Sequence, residues 1–246
     1  ALLCSLVEQG MISLSRIRES ARRLLAVKFS LGLFDNPFVD EDQAETVLTR
    51  PASHAAGRRA QSRSVTVLEA GDLLPLAPGL RLYAEGIPPE VVAEYGEWVD
   101  DPALADVAIV RLEAPWELRD DLPLEHLFHS GSLEFSPGLI WRIEQLAAVL
   151  PVILDVRLER PAILTPLLAA ITARGPSGAL VANYGASGGA LLDALTGREE
   201  PVGRLPFDLP RSMDAVRASA PDAPGDTPDA LYRAGHGLTL TKGTAR

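Results

Sequence analysis

The chain has 246 residues, 47% of them hydrophobic, and a formal net charge of −10. That size suits one good core with an appendage, or two small domains. An acidic chain with no basic run longer than two residues is a poor match for nucleic acid or an anionic membrane surface, which call for clustered Lys and Arg.

The single cysteine, Cys4, excludes an internal disulfide and a cysteine-based zinc site. The histidines His54, His126, His129 and His236 lack metal-ligand spacing. His126 and His129 would meet on a helix, but no H-E-x-x-H pattern accompanies them. No metal and no cofactor is therefore expected. No apolar stretch reaches the roughly 18 residues of a membrane span, and no signal peptide is visible. The chain opens in mid-pattern with ALLCSLVEQG, so any targeting sequence is expected upstream.

Residues 1–34 read as two short helices broken at Gly10. Ser13 or Ser15 can cap the second, on which Ile17, Ala21, Leu24, Leu25 and Phe29 recur at helical spacing. Arg16, Arg18, Glu19, Arg22 and Arg23 occupy the opposite face. Nothing in the next 30 or so residues would bury the apolar stripe, which predicts an arm that closes a preceding domain. Residues 35–62 are polar and broken by Pro37 and Pro51, as in an inter-domain linker, with one short helix over 52–61.

From Arg63 the pattern alternates strand and helix. Strands are predicted at 64–70, 80–86, 106–112, 151–157 and 178–184. Helices are predicted at 88–98, 137–149, from Pro161 to Ile171, and at 188–195. The unbroken apolar runs of the last three strands suit a sheet covered on both faces. The fold class is α/β: a mostly parallel sheet sandwiched by helices, preceded by a helical arm and a long linker. The segments 203–212 and 230–240 read as ordered, with a loop between them.

Ligands of open parallel sheets bind beyond the carboxyl ends of strands. The residues there are Glu113–Asp121, Leu158–Pro161 and the turn Gly185–Gly189. The glycine cluster NYGASGG lacks a P-loop Lys and the G-x-G-x-x-G spacing, so a tight strand-to-helix turn is the better reading. The loop after 106–112 combines carboxylates with Trp116. An aromatic face and a carboxylate suit a sugar, the first by stacking and the second by binding hydroxyls or moving a proton. Composition alone favours a solvated acidic loop for this segment.

Several segments, in order, resemble the second half of glycoside hydrolase family 3, the β-glucosidase-like enzymes. VEQGMISLSRIRESARRLLAVKFSLGLFDNPFVD resembles the end of that family's (β/α)8 barrel and its exit into a linker. AQSRSVTVLEAGDLLPL, DVAIVRLEAPWE, HSGSLEF, GALVANYGASGGALLDALTGREEPVGRLPFDLPRS and YRAGHGLT resemble its α/β sandwich domain.

The resemblance implies three parts: an arm at 1–34, a linker at 35–62 and a sandwich domain at 63–246. It implies retaining hydrolysis of terminal β-linked sugars, which needs two nearby carboxyl groups. The family's nucleophile is an Asp on the barrel, in a segment this sequence does not contain. The chain alone is therefore expected to be inactive, with a glycoside as substrate and the barrel as partner. By position the resemblance implies Glu117 as acid/base, with Glu113 next, and Trp116 and Asp120 bordering the sugar; Asp121 is a further choice. An exposed Ile17–Phe29 stripe would favour self-association of copies. His236, between two glycines, and the segment LPFDLP read as structural. The alternatives are a non-catalytic sugar-binding or scaffold module, and a nucleotide-binding domain built on NYGASGG.

Overall fold

The computed structural model describes residues 2–119, 121, 124, 127–173, 178–220, 222–223 and 225–240. The chain divides into two compact units, Ala1–His54 and Ala55–Arg246.

The first unit is helical, with α1 (Leu2–Glu8), α2 (Leu14–Ser30) and α3 (Glu41–Leu48). Ser13 caps α2, its side chain accepting the Arg16 N–H. At the other end Gly32 takes a positive φ of 69°. Its N–H donates to Phe29 O, and the Leu33 N–H donates to Lys28 O. These bonds satisfy carbonyls that the helix leaves open, as a Schellman ending does. The linker holds more helix than expected. Besides α4 (Pro51–Ser64), which is longer than the expected 52–61, α3 forms behind an Asp40 cap that accepts the Gln43 N–H. Glu41 and Asp42 in its first turn complement the helix dipole. None of α1, α2 and α3 contains a buried residue.

The second unit is built on a six-stranded sheet in the order β1-β6-β5-β4-β2-β3. The strands are β1 (Thr66–Glu69), β2 (Arg81–Glu85), β3 (Glu97–Trp98), β4 (Val107–Glu113), β5 (Val152–Arg157) and β6 (Ala179–Asn183). All neighbours run parallel except β1, which pairs antiparallel with β6 at one edge. On one face α6 (Pro137–Ala147) and α7 (Thr165–Thr172) bury Ile143 and Leu167 against Val110, Leu154 and Leu180. On the other, α5 (Pro89–Val92) and α8 (Gly188–Leu195) bury Val92 and Leu191 against Ile109, Ile153 and Val181. Alternate residues of the central strands feed opposite cores, which is why their sequences read as unbroken apolar runs.

Three expectations are corrected. The helix expected over 88–98 stops after one turn, and Glu97–Trp98 leaves it to pair with Arg81–Leu82 as the edge strand β3. Pro161 does not start α7: the Ile163 N–H donates to Leu133 O, which keeps that segment extended, and Pro166 takes the first-turn position instead. The tail is more structured than a pair of ordered stretches, with β7 (Leu209–Pro210), α9 (Met213–Ala218) capped by Ser212, and β8 (Ala230–Tyr232) pairing with β7. This small ribbon buries Leu205, Leu209 and Tyr232 against the α6–α7 side of the core. His236 stacks on Tyr232 and bonds to Leu68 O through Nε2. No helix among the described residues is long and apolar enough to cross a membrane.

Candidate functional site

The register of the parallel strands decides what stands at their carboxyl ends. Arg111 lies opposite Asp155, and two pairs further on Glu113 lies opposite Arg157, which in turn faces Asn183. The first layer is buried and self-contained. Asp155 has no solvent exposure. It accepts from Arg111 Nε at 2.7 Å and from Asn183 Nδ2 at 2.8 Å. Asn183 Oδ1 accepts the Gly185 and Ala186 N–H groups, and Arg111 Nη2 donates to Ala186 O. Burial pushes the Asp155 carboxyl above the usual Asp range, with Arg111 and Asn183 opposing the rise. The glycine-rich turn after β6 is thus held by side chains of its own sheet, and Ser187 caps α8 by accepting the Ala190 N–H.

The second layer is open. Glu113 is exposed and pairs loosely with Arg157 at 3.7 Å. Beyond it the chain turns outward through Ala114, whose N–H donates to Arg157 O. Trp116 and Glu117 follow, and the Glu117 N–H donates to Ser130 O at 2.9 Å. This single bridge brings the returning segment 129–131 beside the outgoing one. Trp116 stacks on the His129 ring, with centroids 4.4 Å apart and planes 7° from parallel. His129 donates through Nδ1 to the Glu159 carboxylate, which comes from the loop after β5. Arg160 on that loop donates to Gly131 O at 2.9 Å. Gly131 has a φ of 81°, and a Cβ added there would meet the Glu117 Cβ at 2.6 Å. The Glu117 side chain therefore lies across a residue that must be glycine. Ser130 Oγ and Arg160 Nη1 are buried with no hydrogen-bond partner among the described residues.

The structure thus brings Trp116 and Glu117 together, with Glu113 at the root of the same loop. Asp120 and His126 lie outside the described residues, and Asp121 pairs with Arg119 at 2.6 Å. Reading the sequence missed the His129–Glu159 pair, since the two residues are 30 positions apart. The ordered segment HSGSLEF, which begins at His129, was the one signal available. The described residues include no group of three or more His, Cys, Asp or Glu side chains that could hold a metal. Hollows of about 370 Å³ beside Arg198 and Leu240, and about 350 Å³ beside Tyr83 and Arg142, are not lined by this loop. Chemically, the site offers an aromatic platform flanked by carboxylates on an open surface. It suits one wall of a polar, neutral ligand's cleft better than an enclosed pocket of its own.

No family model matches the chain. Curated relatives do. The chain is 41% identical over 242 residues to β-glucosidase C of Emericella nidulans, covering 96% of this chain and 38% of that protein. It is 36% identical over 247 residues to a periplasmic β-glucosidase/β-xylosidase of Dickeya chrysanthemi, covering 97% of this chain and 36% of that protein. The chain thus spans less than two fifths of the length of these relatives. A β-glucosidase from Listeria innocua, solved with isofagomine, shares the fold at a TM-score of 0.67 and 18% identity, over 96% of this chain and 41% of that one. A glycoside hydrolase family 3 β-glucosidase from Neurospora crassa aligns with a TM-score of 0.58 at 16% identity, over 77% of this chain and 32% of that one. The mixed, mostly parallel sheet flanked by helices is the α/β fold of these proteins' carboxy-terminal domains. By sequence the chain is similar to β-glucosidases over nearly its whole length, and by sequence and fold together it resembles a carboxy-terminal part of the β-glucosidase-like proteins of glycoside hydrolase family 3.

Proposed function

We propose that the chain is the carboxy-terminal portion of a retaining glycoside hydrolase that cleaves terminal β-linked sugars, and that it contributes one wall of the active-site cleft. The observation that carries this reading is 36–41% identity, over nearly the whole chain, to proteins named β-glucosidase. In this reading residues 1–34 close a preceding barrel, 35–62 link the two domains and 63–246 form the sandwich domain. The observed division between His54 and Ala55 falls inside that linker.

Glu117 is the acid/base. It protonates the leaving-group oxygen as the barrel's carboxylate attacks, and then, as its conjugate base, activates the water that releases the sugar. Two features favour it over Glu113. Its backbone is pinned to Ser130, and its carboxylate makes no ion pair among the described residues, whereas Glu113 faces Arg157. A proton-transferring carboxylate must be held in place yet left free to bond the substrate. Trp116 and Asp120 border the sugar. Without the barrel nucleophile the chain does not turn over.

Hydrolysis of an aryl β-glucoside tests this. Turnover is expected from the protein with its preceding barrel, falling about 100-fold or more on Glu117→Gln with a poor leaving group, and none is expected from the chain alone. Turnover by the chain alone, abolished by Glu117→Gln, would place the nucleophile here and overturn the division of labour. Saturable monosaccharide binding with no hydrolysis by the barrel-containing protein would point to a sugar-binding module instead.

A further inference from the structure

The ring stack and the carboxylate behind it form a chain of contacts with one open end. Glu159 accepts from His129 Nδ1, and the His129 ring lies flat on Trp116. Trp116 remains 43% exposed, so its indole is supported on one side and open to solvent elsewhere. It immediately precedes Glu117, whose N–H is bonded to Ser130, the residue after His129. The same two loops are tied again where Arg160 donates to Gly131 O. The outgoing and returning arms of the loop after β4 and the loop after β5 therefore converge to fix the plane of one exposed indole. An exposed aromatic side chain left to itself samples several rotamers, and ordering it on binding costs entropy. A stack backed by a carboxylate removes that freedom in advance.

We propose that His129 and Glu159 are positioning residues that hold Trp116 as a sugar-facing wall beside the acid/base. This rests on the glycosidase reading, and it assigns residues that the reading itself does not use. The imidazole supplies the flat surface, and Glu159 fixes its orientation by accepting the hydrogen bond from Nδ1. Neither residue touches the reacting atoms. Their effect reaches the sugar through the indole face, which stacks on the C–H face of a pyranose ring.

The test uses the protein with its preceding barrel and an aryl β-glucoside. Trp116→Ala and His129→Ala are each expected to raise KM by roughly three- to tenfold, with smaller changes in kcat. The double variant should be no worse than Trp116→Ala alone, because both act through one surface. His129→Phe, which keeps the stack, should restore most of the loss, and His129→Gln should not. An unchanged melting temperature in His129→Ala separates positioning from folding. A second measurement is independent of catalysis. With Trp98→Phe and Trp141→Phe in place, emission from Trp116 should change saturably on titration with glucose, and His129→Ala should weaken that binding by the same factor.

If Trp116→Ala raises KM while His129→Ala leaves it at the wild-type value, or if the two effects multiply, the positioning role is overturned. If glucose does not perturb Trp116 emission at all, the sugar-facing role fails. A protein that hydrolyses no aryl β-glycoside, yet shows the glucose response and its loss on His129→Ala, would retain the positioning role and lose the glycosidase reading.

Discussion

The helical unit at the front and the sandwich behind it show how much of a fold local signals can build and where they stop. Residues 2–48 have caps, a Schellman ending and well-placed helix termini, and none of α1, α2 and α3 buries a residue. In the sandwich β4, β5 and β6 are almost wholly buried, and the helices that cover them have apolar faces to match. Helix geometry follows from capping and propensity over a few residues. Stability follows from burial, and isolated helices of this length are marginal without it. Leu24, Leu25 and Phe29, at 68%, 44% and 66% exposure, are the residues that a partner surface would have to cover.

The largest expected effect lies in the sandwich. Replacing Asp155 by Ala leaves Arg111 and Asn183 without their shared acceptor at the carboxyl end of the sheet. Breaking a buried charge pair from one side costs about 3 kcal/mol or more, readable by urea unfolding at pH 7. Helicity of the front unit should be unaffected. A second buried carboxylate gives a smaller effect with the opposite pH dependence. Asp208 accepts the Ala234 N–H and an Arg233 N–H, each at 2.7 Å, and the backbone bond above all holds its carboxyl below the usual Asp range.

The two signs follow from linkage. The Asp208 value is depressed on folding, so its contribution is present above the unfolded Asp value of about 4 and lost as pH falls through the lower folded value. Asp155 is raised on folding, so the titration-linked part of its contribution is full below the unfolded value and declines as pH rises through the folded one, while its bonds to Arg111 and Asn183 carry the rest. Asp208→Ala should cost about 2 kcal/mol at pH 7, and less as the pH falls below the unfolded value. A cost that stayed constant down to pH 3 would show that the carboxylate's charge plays no part in holding the β7–β8 ribbon.

The same contrast explains what the sequence could disclose. The central strands were legible because burial on both faces writes an unbroken apolar run, as in Val107–Val110 and Val152–Leu154. The α2 cap and stripe were legible because they are local. α3 was missed because a polar octamer such as EDQAETVL carries no core stripe, and only Asp40 and the acidic first turn mark it. The helix expected over 88–98 was cut short because the edge of β2 claimed Glu97 and Trp98, a long-range pairing that helical spacing does not register. At the site, Trp116 and Glu117 could be named from one loop. His129 and Glu159 could not be joined to them, because the parallel register of β4 and β5 is what brings their loops together.

A third prediction tests whether the front unit is stable on local terms alone. Ser13→Ala removes the side chain that accepts the Arg16 N–H. It should cost about 1 kcal/mol of α2 stability, seen as a modest loss of helical circular dichroism and faster amide exchange over Arg16–Ala21. The cooperative unfolding of the sandwich should not move. A matching shift of that transition would mean that α2 and the sheet unfold as one unit.

The smallest effect on stability should accompany the clearest effect on association. Leu24 and Leu25 are exposed on α2 and bury nothing, so changing both to Glu removes apolar surface that water already contacts. Surface substitutions of this kind stay within about 0.5 kcal/mol. Glu at these positions also keeps a good helix propensity, so circular dichroism should hardly change. Sedimentation should respond strongly if the stripe is where copies of the chain meet: the wild-type chain should associate with rising concentration, and the variant should remain monomeric to much higher concentration. Salt separates this from a charge effect. Association through an apolar stripe persists as ionic strength rises, whereas pairing through the arginines of α2 would be screened. An association that survives Leu24→Glu and Leu25→Glu, but disappears in high salt, would assign the contact to the arginines of α2, of which Arg18 and Arg22 line the same hollow as Leu25 and Phe29 and are not on the opposite face that helical spacing led us to expect, and not to the apolar side chains of the stripe.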